Sequence, residues 1–156
     1  MTKKACAFTG HRTIPKVRYL LLKKTLINEL RSLIEEGFNE FIAGGALGFD
    51  TLAETTVLNL KKEYPDITLR LILPCKNQDS LWKEKDRELY REILEYADSV
   101  EYVTEEYTDG CMQERNRRMV DNASAVVAFY DGRHRSGTAM TVNYAVKKGV
   151  WVINLF

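Results

Sequence analysis

Residues 41–50 read Phe-Ile-Ala-Gly-Gly-Ala-Leu-Gly-Phe-Asp, a short apolar run that ends in glycines and is followed by a periodic apolar segment. This pattern predicts a strand, a tight loop and a helix in succession. Because glycine has no Cβ, such a loop can bring backbone N–H groups close to a phosphate, and the positive end of the next helix favours the anion further. We interpret the stretch as the floor of a nucleotide-phosphate site, with a packing turn as the alternative.

Length and composition place limits on the class of protein. The chain has 156 residues, 45% hydrophobic and 29% charged, with a net charge of +1. These values predict one globular domain spanning residues 1–156, and no overall field that would attract nucleic acid or an anionic membrane. Cys6, Cys75 and Cys111 are odd in number and widely spaced, which argues against a disulfide framework and a metal site. No segment is typical of a signal peptide or a membrane span, so we expect a cytoplasmic protein with no membrane partner.

Apolar segments of strand type and helix type alternate along the chain. This alternation predicts a three-layer, Rossmann-like α/β fold with a mainly parallel sheet and helices on both faces. Periodicity does not determine the strand order, for which we expect that of dinucleotide-binding folds. Strands are predicted at residues 5–8, 38–43, 67–73, 99–103, 125–129 and 150–155. Helices are predicted from Pro15 to Gly37, from the glycine loop to Pro65, from Asp79 or Ser80 to Ala97, over 112–122 and over 137–148.

In such sheets, ligands bind at the carboxyl ends of the strands. The turns at residues 9–12, 44–50 and 131–138 all follow strands, so they should cluster at one edge. The first turn contains Thr9, Gly10, His11 and Arg12. Arg12 is suited to bidentate phosphate binding, and His11 to phosphate donation, acid–base work or a structural role in the turn.

Two other positions have both a structural and a functional interpretation. Asp50 opens the second helix, where it could cap the helix or accept hydrogen bonds from ribose hydroxyls. The turn Ser136-Gly137-Thr138 begins the last helix and forms a second candidate anion site, helped by Arg133 and Arg135. Thr138 could equally cap that helix.

Three arginines begin the fourth helix, where they oppose the helix dipole, so an anion or a nearby glutamate is expected to compensate them. Helical spacing places Arg115 with Met119 toward the sheet, Arg118 near that face and Arg117 in solvent. Trp82 and Tyr90 are expected on the third helix as packing residues rather than as a base-stacking platform.

Three stretches together resemble the SLOG superfamily, which includes the DprA/Smf and LOG proteins, and in particular its small YpsA/YoqJ-type members. They are residues 8–12, residues 43–53, and residues 114–120 followed by residues 136–141. The resemblance implies a Rossmann-like domain that holds nucleotides, nucleotide-derived ligands or, in DprA, single-stranded DNA. The pocket residues that it and the turns suggest are Thr9, Gly10, His11, Arg12, Gly44, Gly45, Ala46, Gly48, Asp50, Arg115, Asn116, Ser136, Gly137 and Thr138. Thr141 stands where LOG enzymes have a glutamate that helps to cleave the N-glycosidic bond.

These observations leave three functions open. The first is binding of a nucleotide or nucleotide-derived ligand without turnover, as in a sensor, with no metal. The second is N-glycosidase-like hydrolysis of such compounds, with Asp50, His11 or Glu114 supplying the carboxylate or proton relay. The third is single-stranded nucleic-acid binding through arginines, which would weaken steeply with salt. The sequence is also compatible with a homo-oligomer and does not identify the ligand.

Overall fold

The computed structural model describes residues 3–133 and 135–156. Its strands are β1 (Ala5–Gly10), β2 (Glu40–Ala43), β3 (Thr68–Cys75), β4 (Ser99–Thr104), β5 (Ala125–Phe129) and β6 (Trp151–Asn154). Its helices are α1 (Lys16–Glu35), α2 (Phe49–Leu60), α3 (Glu84–Tyr96), α4 (Cys111–Asp121) and α5 (Gly137–Lys147). Strand and helix alternate throughout, as the sequence predicts. None of the helices in these residues has the length and apolar character needed to span a membrane.

All six strands form one parallel sheet in the order β4-β3-β2-β1-β5-β6. The next three strands, β2 to β4, are laid down successively to one side of β1, and the chain then crosses over to place β5 on the other side. The dinucleotide-binding order makes this crossing one strand earlier. In both cases the chain reverses direction beside β1, so the carboxyl ends of β1 and β5 flank the switch point where ligands bind in open α/β sheets.

Two apolar layers cover the two faces of the sheet. Phe8, Phe41 and Leu71 pack toward the layer of α1, α2 and α3, whereas their chain neighbours Ile42 and Ile72 pack toward α4 and α5. This alternation follows from the period of two in a strand, and it makes the fold three-layered. The apolar stripe predicted for α1 is confirmed, because Leu22, Leu26, Leu30 and Leu33 are all buried.

The ends of some elements differ from the prediction. Pro74 was expected to stop the third strand, but β3 continues through it to Cys75. The last residue of β2 paired with β3 is Ala43, opposite Leu71. Pro74 therefore has no partner on β2 that would need a hydrogen bond from its missing N–H.

The start of α3 also differs. Neither Asp79 nor Ser80 caps it; the helix begins at Glu84 after a turn, with Lys83 at the N-cap. Trp82 therefore lies before the helix rather than on it. The predicted C′ position of Gly37 is confirmed by its φ of 104° directly after the cap residue Glu36.

Candidate functional site

A cavity of about 340 Å³ lies at the switch point, beside the carboxyl ends of β1 and β5. The three turns predicted to cluster all contribute to it. Eleven residues named from the sequence line it: Thr9, Gly10, His11, Arg12, Ala46, Asp50, Arg115, Asn116, Ser136, Gly137 and Thr138. Phe8, Met112 and Met119 also line it and were not anticipated. The two methionines lie on the same side of α4 as Arg115, a signal that helical spacing contains.

Three glycines named as pocket candidates, Gly44, Gly45 and Gly48, are absent from the cavity wall. They serve close packing instead. A Cβ on Gly44 would collide with the guanidinium of Arg115. A Cβ on Gly48 would collide with the backbone carbonyl of Arg12, and the φ of Gly48 is 81°, a region that L side chains rarely adopt. The observed contacts of these glycines therefore agree with the alternative interpretation of the loop as a packing turn.

The amides of the glycine loop are not bare. The Gly45 N–H donates to Glu54 Oε2 at 3.0 Å, and the Ala46 N–H donates to Asp50 Oδ2 at 3.2 Å. Both carboxylates come from α2, so the helix reaches back and occupies donors that we expected to face a phosphate. The expectation of free loop amides is wrong at these two positions, because buried N–H groups require partners within the fold.

Asp50 does not cap α2 as one interpretation suggested. The N-cap is Gly48, and Asp50 lies in the first turn with its carboxylate on the loop. Asp50 is nevertheless part of the cavity wall. Asp50 therefore holds the loop and lines the cavity at the same time.

Arg115 is the most deeply buried cation of the site, with 5% of its surface exposed. Its Nη1 donates to the carbonyl oxygen of Gly44, and its Nε donates to Asn116 Oδ1 at 2.7 Å. The sequence-based orientation of Arg115 toward the sheet and of Arg117 toward solvent is confirmed. The arginine thus joins α4 to the loop after β2.

Asp50, Glu54 and Arg115 form a buried set of two acids and one base. Burial raises the pKa of Glu54 well above its usual value, and the charge of Asp50 raises it further. Burial also raises the pKa of Asp50, against the opposing effect of Arg115. Desolvation lowers the pKa of Arg115, while the charge of Asp50 opposes that shift. The arrangement favours ionisation of Asp50 over Glu54, because both Arg115 and Arg12 lower the pKa of Asp50, whereas burial and the charge of Asp50 both raise the pKa of Glu54.

Glu54 was missed in the sequence. It lies four residues after Asp50 and next to the buried Ala53 on α2, so two carboxylates share one buried side of the helix. The sequence alone could have drawn attention to a glutamate in that position, because buried carboxylates are rare unless they are paired.

The donors of the cavity that have no partner among the described residues lie in the first turn of α5. Ser136 Oγ accepts the Ala139 N–H at 2.9 Å, so Ser136 and not Thr138 caps α5. Within residues 3–133 and 135–156, the N–H groups of Gly137 and Thr138 have no hydrogen-bond acceptor. Arg12 is exposed and makes no hydrogen bond or ion pair with those residues.

His11 links three elements. Its backbone N–H donates to Phe129 at 3.2 Å, and its carbonyl accepts the Phe49 N–H at 3.1 Å. Its Nε2 accepts the Asp131 N–H at 2.9 Å and lies 3.0 Å from Asp131 Oδ1. Because this nitrogen already has partners, the structure favours the structural role of His11 in the turn.

The arginines considered for nucleic-acid binding do not form one free surface. Arg115 is buried, and Arg133 Nε lies 2.6 Å from Asp131 Oδ2. The N–H of Arg133 also lowers the pKa of Asp131, which favours this pairing. The remaining arginines of that set are Arg117, Arg118 and Arg135. His134, which lies in the same loop, is outside the described residues.

The candidate glycosidase residues are also separated. Glu114 is exposed and outside the cavity. At the position of the LOG glutamate, Thr141 Oγ1 donates to the Gly137 carbonyl at 2.8 Å. Asp50 is therefore the one carboxylate among the residues that line the cavity in the described chain.

Comparison with known proteins identifies the family. The family model described as "YpsA: YspA SLOG family" matches residues 9–150. The chain belongs to this family. It is 38% identical to the "Uncharacterized SPbeta prophage-derived protein YoqJ" of Bacillus subtilis, over 82% of each chain. It is also 34% identical to a UPF0398 protein of Brevibacillus brevis, over 82% of this chain and 69% of that one.

The matched segment contains every residue that lines the cavity except Phe8. It also contains the buried acids and Arg115. The switch-point cavity therefore lies almost entirely within the segment that the family model matches.

Proposed function

We propose that this YpsA-type SLOG protein binds a nucleotide or nucleotide-derived ligand in the switch-point cavity. The observation that carries the proposal is the convergence of Arg12 with the N–H groups of Gly137 and Thr138, which have no acceptor among the described residues. Backbone donors at a helix N-terminus together with a free guanidinium are the usual protein partners of a phosphate. The volume of about 340 Å³ lies in the range of small-molecule sites.

The proposed orientation follows from the charges. The phosphate lies between Arg12 and the first turn of α5, and the ribose lies toward Asp50, whose carboxylate can accept hydroxyl hydrogen bonds. The glycine loop contributes indirectly, because its amides hold Asp50 and its carbonyl holds Arg115.

The test is calorimetric titration of the protein with AMP, ATP, NAD and ADP-ribose. We expect saturable heat with at least one of them, and an affinity lowered about tenfold or more by Arg12→Gln, since a charge-assisted hydrogen bond is lost. Arg117→Gln is the matched control, because Arg117 is also an exposed arginine but lies outside the cavity. Background heat for the whole panel, or equal losses in both variants, would overturn the proposal.

A second candidate is hydrolysis of the N-glycosidic bond of such a ligand. The specific observation in its favour is that Asp50 is a buried carboxylate of raised pKa in the cavity wall. Such a group is suited to general acid–base catalysis near neutral pH. Incubation with nucleoside monophosphates, followed by chromatography for released base, tests it. Release that survives Asp50→Asn, or no release at high protein concentration, would exclude this role.

A further inference from the structure

A second cavity, of about 400 Å³, lies between α1, α2 and α3. It shares no lining residue with the switch-point cavity. We call it the aromatic cavity, because Tyr19, Trp82 and Tyr90 contribute to its wall together with aliphatic residues of α2 and α3.

The aromatic rings are arranged at a right angle. The centroids of Trp82 and Tyr90 are 5.1 Å apart with an interplanar angle of 72°. Tyr19 adds a third ring from α1 and is 41% exposed. Aromatic rings in a cavity wall attract organic cations through the negative potential of their faces.

The negative charge in the cavity wall has no side-chain counter-ion among the described residues. Asp86 is half-buried and has no hydrogen bond or ion pair with the described residues. Glu54 also lines the cavity, but its raised pKa favours the neutral form and one of its oxygens is held by the Gly45 N–H, so Asp86 is the acid that supplies the charge. No lysine, arginine or histidine is among the lining residues of the described chain. An anion would be repelled here, whereas a cation would gain both the rings and a carboxylate partner.

We propose that the aromatic cavity binds a compact organic cation, an alkylammonium group of about the size of choline. The rings of Trp82, Tyr90 and Tyr19 contact its alkyl substituents and stabilise its charge, and Asp86 neutralises it. This site is independent of the proposed nucleotide site and goes beyond it, since the two cavities favour ligands of opposite charge.

The experiment uses tryptophan fluorescence. The chain has two tryptophans, and Trp151 lies on the edge strand β6, so Trp151→Phe leaves Trp82 as the single reporter. This protein is titrated with choline and, separately, with its neutral isostere 3,3-dimethylbutan-1-ol. We expect a saturable change with choline and binding of the neutral compound weaker by on the order of tenfold.

Asp86→Asn and Glu84→Gln then distinguish loss of a charge in the cavity wall from loss of a charge at the start of α3. Both acids lie in the first turn of α3, but only Asp86 is part of the cavity wall. We expect choline affinity to fall about tenfold in Asp86→Asn and to be retained in Glu84→Gln. Equal binding of the two compounds, no saturable change, or equal effects of the two substitutions would overturn the proposal. So would a stronger response to AMP than to choline, which would indicate base stacking instead.

Discussion

Glu54 shows how one buried side chain links the two cavities. It lines the aromatic cavity and holds Gly45, while its neighbour Asp50 lines the switch-point cavity and holds Ala46. Burial and the charge of Asp50 raise the pKa of Glu54 more than Arg115 lowers it, so the raised pKa of Glu54 favours its neutral form and avoids a second buried charge.

This protonation predicts a pH dependence of stability. Above the ordinary glutamate value of 4.5 the unfolded chain releases a proton that folded Glu54 retains. The free energy of unfolding therefore falls as pH rises from that value toward the raised pKa, by at most about 1.4 kcal/mol per pH unit. In Glu54→Gln this contribution should vanish, because glutamine stays neutral and can still accept the Gly45 N–H.

Denaturant unfolding of the wild type and Glu54→Gln between pH 4 and pH 8 measures the difference. The wild type should lose stability relative to the variant as pH rises. Glu88→Gln, an exposed acid on α3, is the control and should give a curve parallel to the wild type. Parallel curves for Glu54→Gln as well would show that Glu54 is ionised in the folded protein.

At the scale of elements, the two helix N-termini near the site are used differently. The first turn of α2 sends its acids back to the glycine loop. The first turn of α5 is capped by Ser136, and the N–H groups of Gly137 and Thr138 have no acceptor in the part of the chain that the structure describes. A donor that already has a buried carboxylate partner cannot serve an incoming phosphate without losing that bond, so α5 is the better anion site.

The cap itself is testable. Ser136→Ala removes the acceptor of the Ala139 N–H and should lower the free energy of unfolding by about 1 kcal/mol. Ser32→Ala, at an exposed position inside α1, is the control and should leave stability unchanged or slightly raised, because alanine favours helix. Equal unfolding free energies for Ser136→Ala and the wild type would mean that Ser136 does not cap α5.

At the scale of the whole molecule, the sheet separates two apolar layers, and all three cysteines lie within them or at their edge. Cys6, Cys75 and Cys111 are each at most 1% exposed. Burial raises the pKa of the Cys6 thiol to about 12 and also raises the pKa of Cys75. Thiols that are inaccessible and protonated are poor nucleophiles.

Titration with an aromatic disulfide reagent reports on this packing. We expect no rapid thiol reaction in the native protein at pH 8, and reaction of all three cysteines after unfolding in guanidinium chloride. Rapid modification of one equivalent in the native state would show that a cysteine is accessible. The reaction rate in moderate denaturant should follow the global unfolding free energy.

The sequence by itself determined the class of fold and the residues that reach the switch point. Alternating periods of 2 and 3.6 specify parallel strands with covering helices, and the carboxyl ends of parallel strands meet at one edge. This reasoning located Arg12, Asp50 and the turn beginning at Ser136. It was wrong about the end of β3, which continues through Pro74 because its pairing with β4 extends to Cys75 after its pairing with β2 has ended at Leu71.

Only the tertiary structure decided which donors remain free. The carboxylates of Asp50 and Glu54 occupy the loop amides, and Arg115 reaches Gly44 from 71 positions away in the chain. The aromatic cavity likewise requires α1, α2 and α3 to meet. Local sequence patterns encode backbone geometry, but the pairing of buried charges and donors depends on contacts between distant segments, and that pairing distinguishes a packing loop from a ligand site.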